Sequence, residues 1–365
     1  MKIVIVAGAR PNFMKVAPLL KALRKVPRFQ TALVHTGQHY DFRMSEVFFK
    51  DLLIPKPGVH LECGSGTHAG QTGKVLAAME RTLLKLRPDL VMVVGDVNSA
   101  LASSLAAAKL GIRVAHVEAG LRSFDRSMPE EINRRVTDRL SDFLFVSEES
   151  GLVNLKREGI PPQKVFHTGN VMIDSLVASL GAIRRSDVRR RLGLADAAYG
   201  VMTLHRPSNV DDAKALKKIW HTVAKVSSLV TLIFPIHPRT AKRMDALGLR
   251  RAFQGLKNLR MIKPLGYTDF LGLVYGARFV LTDSGGLQEE STYLKIPCMT
   301  LRENTERPAT LKPGSNRLVG TDEKKILEGV RSALSGRWKT SKVPKYWDGK
   351  AAKRIVQALI RQVKN

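Results

Sequence analysis

The sequence predicts an α/β fold with two domains, each built on a sheet of parallel strands. The chain has 365 residues, more than one ordinary hydrophobic core accommodates, so two domains are expected. Short apolar runs that read as fully buried strands alternate with helical patterns along the chain. A helix between successive strands makes the strands parallel and the crossover right-handed, which predicts a parallel sheet in each domain.

The stretch from Leu90 to Arg135 is the clearest unit of this kind. Leu90–Val94 and Ile112–Val117 read as buried strands, and Ser99–Leu110 between them is rich in the helix formers Ala and Leu. A second helix is predicted to begin at Pro129, because proline suits the first helical position and two glutamates follow in the first turn.

Acidic residues follow both of these strands. Asp96 comes just after the first strand, Glu118 just after the second, and Glu130 opens the next helix. Open α/β sheets bind ligands at the carboxyl ends of their strands, so the three carboxylates are expected to face one crevice. Taken singly, Asp96 is explained by helix capping and Glu130 by the helix dipole. Glu118 follows a buried run, where a carboxylate without a task is costly.

The chain begins with another buried strand, Lys2–Ala7, which runs into a glycine turn and a helix. A turn of this kind directs backbone N–H groups at a bound anion, commonly a phosphate. Arg10 and Lys15 are placed to reach the same anion, and two solvated basic residues are the alternative interpretation. Neither a Walker motif nor a GxGxxG pattern is present, so the turn alone is weak evidence.

The remaining elements follow the same alternation. The first domain is expected to cover residues 1–169 and the second residues 170–349, with a basic helical connector over residues 173–192. The last helix, Lys350–Val363, is expected to pack back on the first domain, so that residues 350–365 complete it. The other predicted strands are Thr31–Thr36, Phe143–Val146, Val165–Thr168, Tyr199–Leu204, Val230–Pro235, Leu259–Ile262, Phe279–Thr282 and Pro297–Leu301. The other predicted helices are Phe42–Leu53, Thr72–Leu86, Asp212–Ser227, Asp269–Gly276, Leu287–Leu294 and a helix through Arg157 with Ser147 as its N-cap.

Two features of the second domain point to phosphate. His205 ends a buried strand and is followed by Arg206 and Pro207. A lone histidine there is more often structural, and the loop after it favours a functional role. The segment Ser284-Gly285-Gly286 opens a helix directly after a strand, where free N–H groups and the positive end of the helix dipole attract an anion.

Composition limits the classes of partner. The net charge of +28 indicates either an anionic partner or a dispersed basic surface, and the second interpretation is preferred. Aromatic residues make up 6% and do not interleave with the basic runs, which disfavours specific nucleic-acid binding. No run approaches the roughly 20 apolar residues of a membrane helix, and no signal peptide is recognised. Cys63 and Cys298 lack metal-ligand spacing, so we expect a cytoplasmic protein without a metal site or integral membrane association.

A set of sequence blocks is distributed along nearly the whole chain: GARPNFMK, HTGQHYD, GD at 95–96, HVEAGLRSFDRSMPEEINR, TGNVMID, TLHRPSNVD, FPIHPRT, LTDSGGLQEE, LRENTERPA and LVGTD. In this order the blocks resemble the non-hydrolysing UDP-N-acetylglucosamine 2-epimerases. The resemblance implies the GT-B fold, in which two Rossmann-like domains with parallel sheets face a central cleft. It also implies a cytoplasmic homodimer that supplies precursors of surface polysaccharides.

The activity implied by the resemblance is reversible C2 epimerisation of UDP-N-acetylglucosamine (UDP-GlcNAc) to UDP-N-acetylmannosamine (UDP-ManNAc). The route is elimination and re-addition of UDP through a glycal, without a cofactor. The implied catalytic residues are Asp96, Glu118, Glu130 and His205. The implied substrate-binding residues, with Glu290 on the ribose hydroxyls, are Arg10, Lys15, Asn133, Arg134, Ser284, Gly285, Gly286, Glu290 and Arg307. The implied regulatory residues are Gln38, His39 and His237.

Several positions depart from the common family pattern, and they keep other functions open. Ala9 and Asn12 stand in the first block, Pro207 follows the histidine–arginine pair, and Tyr40 follows Gln38-His39 where activated members have arginine. Some blocks also match epimerases that act on UDP-2,3-diacetamido-2,3-dideoxyglucuronate. Two further alternatives are a GT-B glycosyltransferase and a polyanion-binding protein without enzymatic activity.

Overall fold

The computed structural model describes residues 1–8, 10–37 and 57–363, and the elements below are those of the described residues. The chain divides into two compact units. Unit 1 comprises Met1–Ala178 and Lys345–Asn365, and unit 2 comprises Ser179–Pro344. The predicted helix Phe42–Leu53 lies outside the described residues.

Unit 1 is built on a sheet of seven parallel strands in the order β3-β2-β1-β4-β5-β6-β7. Its strands are β1 (Lys2–Ala7), β2 (Gln30–His35), β3 (Val59–His60), β4 (Leu90–Val94), β5 (Arg113–Ala119), β6 (Phe143–Val146) and β7 (Val165–His167). Its helices are α1 (Arg10–Leu23), α2 (His68–Leu86), α3 (Asn98–Lys109), α4 (Pro129–Leu140), α5 (Glu149–Arg157), α6 (Val171–Arg185) and α15 (Ala351–Val363), the first part of α6 lying in this unit.

Helices cover both faces of this sheet, which explains why its strands are apolar without alternation. In β1, Ile3 and Ile5 belong to one buried cluster, whereas Val4 and Val6 belong to another on the opposite face. A strand with a core on each side must be apolar at every position.

The C-terminal helix α15 belongs to the core of unit 1. Ile355 and Leu359 of α15 share a buried cluster with residues of α1. The backbone N–H groups of Ala351 and Ala352 donate to the carboxylate of Asp174 at 3.0 and 2.7 Å, which fastens α15 to α6. The predicted domain limit after residue 169 leaves α6 in the second domain, whereas these contacts hold the first part of α6 in unit 1.

Unit 2 is built on a sheet of six parallel strands in the order β10-β9-β8-β11-β12-β13. Its strands are β8 (Tyr199–Thr203), β9 (Thr231–Pro235), β10 (Leu259–Ile262), β11 (Phe279–Thr282), β12 (Cys298–Thr300) and β13 (Asn316–Leu318). Its helices, after the second part of α6, are α7 (Val188–Arg191), α8 (Pro207–Val210), α9 (Ala213–Leu229), α10 (Pro238–Ala246), α11 (Arg250–Gln254), α12 (Tyr267–Tyr275), α13 (Gly285–Leu294) and α14 (Glu323–Leu334).

The helix α9 shows why the sequence folds in this way locally. Asp212 caps it by accepting a hydrogen bond from the N–H of Lys214 at 2.9 Å, and its apolar residues recur with helical spacing. That face packs in the buried cluster of unit 2 with residues of β9. The predicted pair of parallel α/β domains is confirmed. The predicted cap at Ser147 is wrong, because α5 begins at Glu149 with Glu148 in the cap position.

Candidate functional site

The carboxyl ends of β4 and β5 bring two of the predicted carboxylates into one region. Gly95 follows β4, and its N–H donates to the carbonyl oxygen of Val117 in β5 at 3.0 Å. Asp96 comes next, and Glu118 is the penultimate residue of β5. Glu118 has a φ of 78°, a left-handed conformation that is unfavourable for a residue with a side chain. Such strain is concentrated at functional sites, where the surrounding structure maintains it.

Glu118 is buried and forms an ion pair with Lys15 of α1. The residues are 5% and 6% exposed, and the Lys15 Nζ contacts Glu118 Oε2. Two buried charges are tolerated when they neutralise each other. The Lys15 ammonium group, which the sequence predicts to bind an anion, therefore lies beside the predicted catalytic carboxylate of Glu118.

Helix α4 holds Asp96 in place. The Nε and Nη2 atoms of Arg134 donate to Asp96 Oδ2 at 3.0 and 2.8 Å, and Asn133 Nδ2 donates to the Asp96 carbonyl oxygen at 2.9 Å. Both side chains thus lie against a predicted catalytic residue, and their predicted contact with substrate remains a prediction.

The buried face of α4 is polar, which is the reverse of an ordinary surface helix. The buried residues of α4 are Glu131, Asn133, Arg134, Thr137 and Asp138. Ile132 and Val136 instead lie on its exposed side. A polar face turned inward is costly unless its groups are bonded, and Asn133, Arg134 and Asp138 all form hydrogen bonds.

Sequence reasoning missed Glu131, which is 1% exposed, whereas its neighbour Glu130 is half-buried. Glu131 Oε2 accepts hydrogen bonds from Ser123 N and Oγ at 2.8 and 2.9 Å and from Arg134 Nη1 at 2.6 Å. Glu131 therefore ties the β5–α4 connection to the arginine that binds Asp96. The available signal was the pair of adjacent glutamates, only one of which can face inward on a helix.

A second group of buried residues that the sequence did not reveal links the end of β4 to β5 and α4. His116, which is fully buried, places Nδ1 2.6 Å from Asp138 Oδ1 and Nε2 2.9 Å from the carbonyl oxygen of Gly95. Arg122 Nη2 donates to Asp138 Oδ2 at 2.7 Å. Burial raises the pKa of Asp138, but His116 and Arg122 outweigh it and lower that pKa below its ordinary value. The network holds Gly95, and hence the neighbouring Asp96, in position.

In unit 2, His205 follows β8 and Asp283 follows β11, and the two side chains form a pair. His205 Nδ1 lies 2.9 Å from Asp283 Oδ1. Asp283 is fully buried, whereas the side chain of His205 is 34% exposed. Burial raises the pKa of Asp283, but hydrogen bonds from His205 and Arg206 lower it overall, so Asp283 stays ionised.

The start of α13 is shaped as the sequence predicts for an anion site. Ser284 is the N-cap, and its Oγ accepts a hydrogen bond from Leu287 N at 3.5 Å. Gly285 has no room for a side chain, since a Cβ there would lie 2.6 Å from Arg307 Nη1. The first N–H groups of α13, including that of Gly286, have no acceptor earlier in the helix, which makes this end suitable for phosphate.

Glu290 lies on the same helix and is 6% exposed. Burial, reinforced by neighbouring Glu289, raises the pKa of Glu290 to about 8, although the Tyr267 hydroxyl opposes the shift. Arg307 Nε donates to Glu289 Oε1 at 2.8 Å, and Arg307 also pairs with Glu306. Arg307 is thus held by two glutamates, and its predicted contact with substrate remains a prediction.

The predicted regulatory residues are only partly described. His237 is the N-cap of α10, with Nδ1 accepting a hydrogen bond from Arg239 N at 3.2 Å, and its ring centroid is 5.5 Å from that of His205. Gln38, His39 and the side chain of Arg10 lie outside the described residues.

A model of the protein family described as UDP-N-acetylglucosamine 2-epimerase matches residues 21–360. A protein named UDP-N-acetylglucosamine 2-epimerase from Methanocaldococcus jannaschii is 44% identical over 98% of this chain and 99% of its own length. The chain belongs to the UDP-N-acetylglucosamine 2-epimerase family. The predicted family is therefore confirmed.

One further relative and one solved structure are also similar to this chain. The Pseudomonas aeruginosa protein named UDP-2,3-diacetamido-2,3-dideoxy-D-glucuronate 2-epimerase is 40% identical over 99% of this chain and 100% of its own length. The crystal structure of Methanocaldococcus jannaschii UDP-GlcNAc 2-epimerase in complex with UDP-GlcNAc and UDP has a TM-score of 0.93 at 44% identity. The match covers 99% of this chain and 100% of the crystallised chain.

Within residues 1–8, 10–37 and 57–363, no group of three or more His, Cys, Asp or Glu side chains is arranged to hold a metal ion. No helix of that part of the chain is long and apolar enough to cross a membrane.

Proposed function

We propose that this epimerase interconverts UDP-GlcNAc and UDP-ManNAc by reversible elimination and re-addition of UDP. The observation that carries the proposal is the strained, buried Glu118 paired with Lys15 near the end of β5, beside the β4 end that carries Asp96. The Methanocaldococcus jannaschii relative supports it, because the structure of that protein contains UDP-GlcNAc and UDP.

The chemistry explains why carboxylates and cations are needed together. The hydrogen on C2 of the sugar is barely acidic, so direct deprotonation does not account for inversion. In elimination the C1–O bond breaks with its electron pair leaving on UDP, and the C2 proton passes to a carboxylate, which leaves a C1=C2 glycal. UDP then returns to C1 while a proton reaches C2 from the opposite face. The site must stabilise positive charge on the sugar and negative charge on the diphosphate.

The unit 1 residues divide between proton transfer and support. Asp96, Glu118 and Glu130 serve as the carboxylates of proton transfer and cation stabilisation. The closeness of Lys15 to Glu118 couples these steps, because an ammonium drawn toward the departing diphosphate releases Glu118 from its ion pair. Arg134 orients the Asp96 carboxylate through two hydrogen bonds.

The unit 2 residues bind the nucleotide in this proposal. The turn Ser284-Gly285-Gly286 at the start of α13 binds the diphosphate, together with His205. Glu290 binds the ribose hydroxyls. Its burial and its place on the same helix as the phosphate-binding turn support this role.

A second substrate is favoured by a specific observation. The Pseudomonas aeruginosa relative named for UDP-2,3-diacetamido-2,3-dideoxy-D-glucuronate is nearly as similar to this chain as the Methanocaldococcus jannaschii one. We retain that nucleotide sugar as the alternative substrate of the same elimination. Assembly as a cytoplasmic homodimer and supply of surface polysaccharide precursors also belong to the proposal, on the basis of the family resemblance.

A substrate panel followed by NMR tests the choice. The enzyme is incubated with UDP-GlcNAc and with the diacetamido uronate in separate tubes, with Asp96→Asn in parallel. We expect UDP-ManNAc from the first substrate only, and turnover at least about 100-fold slower from the variant. Turnover of the uronate alone would show that the diacetamido uronate, and not UDP-GlcNAc, is the substrate. Release of UDP only when a sugar acceptor is added would indicate a glycosyltransferase.

A further inference from the structure

Asp283 is a fully buried carboxylate to which neither the sequence interpretation nor the proposed chemistry assigns a role. Its oxygens accept hydrogen bonds from the backbone N–H groups of His205 at 2.9 Å and Arg206 at 2.8 Å and from Asn209 Nδ2 at 3.2 Å. Asp283 thus connects the loop after β8 with the residue that precedes Ser284. A buried carboxylate is retained when it is fully bonded, so these contacts explain its stability but not its contact with the His205 ring.

The ring contact determines which nitrogen of His205 carries a proton. An ionised carboxylate is only an acceptor, and Asp283 Oδ1 lies 2.9 Å from Nδ1. Nδ1 must therefore carry the proton in that contact, and Nε2 is the remaining ring nitrogen. In the part of the chain that the structure describes, no residue forms a hydrogen bond to Nε2. The ring is one-third exposed, so Nε2 is the nitrogen available to a ligand.

We infer that Asp283 is a positioning residue that holds Nδ1–H of His205 and so presents Nε2 to the diphosphate leaving group, to which Nε2 donates a hydrogen bond when the ring is in its doubly protonated form. This inference rests on the proposed function, because it needs the diphosphate at His205. The order of the chain supports it. Asp283, which contacts the ring, is followed directly by Ser284-Gly285-Gly286, the proposed diphosphate turn, so one segment of the chain carries both.

The alternative is that Asp283 only anchors the loop, and Asn209 provides a matched control. Asn209 Nδ2 donates both to Asp283 and to the carbonyl oxygen of Leu301 at 3.0 Å, but Asn209 does not touch the His205 ring. Asn209→Ala loosens the same loop and leaves the ring contact in place. Asp283→Asn keeps an oxygen for the backbone donors and puts an amide N–H where the ring needs an acceptor.

The first experiment reads the ring directly in the wild-type enzyme. Nitrogen-15 NMR of His205 should show the proton on Nδ1, and UDP binding should shift the Nε2 signal. Asp283 and His237 contact the ring, and Arg206 follows His205 in the chain, so the spectrum is followed over pH with His237→Asn as a reference. A neutral His205 with its proton on Nε2 would overturn the inference without any variant.

The second experiment compares turnover with UDP binding. We expect Asp283→Asn to lower kcat about 100-fold with a changed pH profile, whereas the Kd for UDP changes less than about threefold. Asn209→Ala should retain kcat within about threefold even though it unfolds at lower urea. Equal loss of kcat in both variants would reduce Asp283 to a loop anchor. Failure of the wild type to turn over either UDP sugar would contradict the proposed function. The NMR result alone would then show whether Asp283 holds the proton of His205 on Nδ1.

Discussion

Glu290 gives the structure's clearest dependence of stability on pH. Burial raises its pKa to about 8 from an ordinary value of 4.5. A shift of that size corresponds to about 5 kcal/mol, because each pKa unit is worth about 1.4 kcal/mol. The folded state holds the proton more tightly than the unfolded state. The stabilisation is therefore complete below about pH 4.5 and is lost progressively as the pH rises through about 8.

Glu290→Gln removes this titration and keeps a polar group of the same size. We expect wild-type stability to fall between pH 5 and pH 9 and the variant to fall by several kcal/mol less, with about 5 kcal/mol as the upper limit. Urea unfolding followed by the fluorescence of Trp220 and Trp338, both in unit 2, measures the difference. The exposed Glu328 provides the control, since Glu328→Gln should retain the wild-type profile. Parallel profiles for wild type and Glu290→Gln would refute the reasoning.

Three other predictions follow from the packing of unit 1 and from its carboxylates. Arg134→Met leaves Asp96 and Glu131 without their shared cation, so it should destabilise unit 1 by about 3–5 kcal/mol in urea unfolding; a loss below about 1 kcal/mol would show that the pair is dispensable. Asp96→Asn should lower turnover about 100-fold or more while the Kd for UDP by calorimetry changes less than about threefold, and unaltered turnover would remove Asp96 from the mechanism. Leu359→Ala opens a cavity between α15 and α1 and should cost about 2–5 kcal/mol of unfolding free energy without changing UDP affinity; equal stability would contradict the core position of α15.

The fold could be predicted from the sequence because its strands carry the signal themselves. Runs such as Leu90–Val94 are apolar at every position, and that pattern follows directly from burial on both faces of a parallel sheet. Strand β13 could not be predicted in this way. It is three residues long and contains Asn316 and Arg317, so its sequence has no apolar pattern that predicts a strand. Pairing with β12 determines it instead.

The sequence predicts the candidate residues that lie at strand ends. It does not predict those whose place depends on contacts with residues distant in the sequence. Asp96 and Glu118 stand at the carboxyl ends of parallel strands, where open α/β sheets bind their ligands. Asp283 is a carboxylate of the same kind, but its role depends on His205, which lies 78 residues away in the chain. Likewise, the choice of Glu131 over Glu130 as the buried partner of Arg134 depends on which side of α4 faces the sheet. Tertiary packing decides both, and sequence spacing does not report it.

Deuterium incorporation tests the central claim most directly. The enzyme is incubated with UDP-GlcNAc in deuterated water, and proton NMR follows the hydrogen at C2 of both UDP sugars, with Asp96→Asn as the negative control. Elimination through a glycal predicts that UDP-ManNAc appears with deuterium at C2 and that the remaining UDP-GlcNAc also exchanges. Formation of UDP-ManNAc with its original hydrogen at C2 would contradict the proposed mechanism.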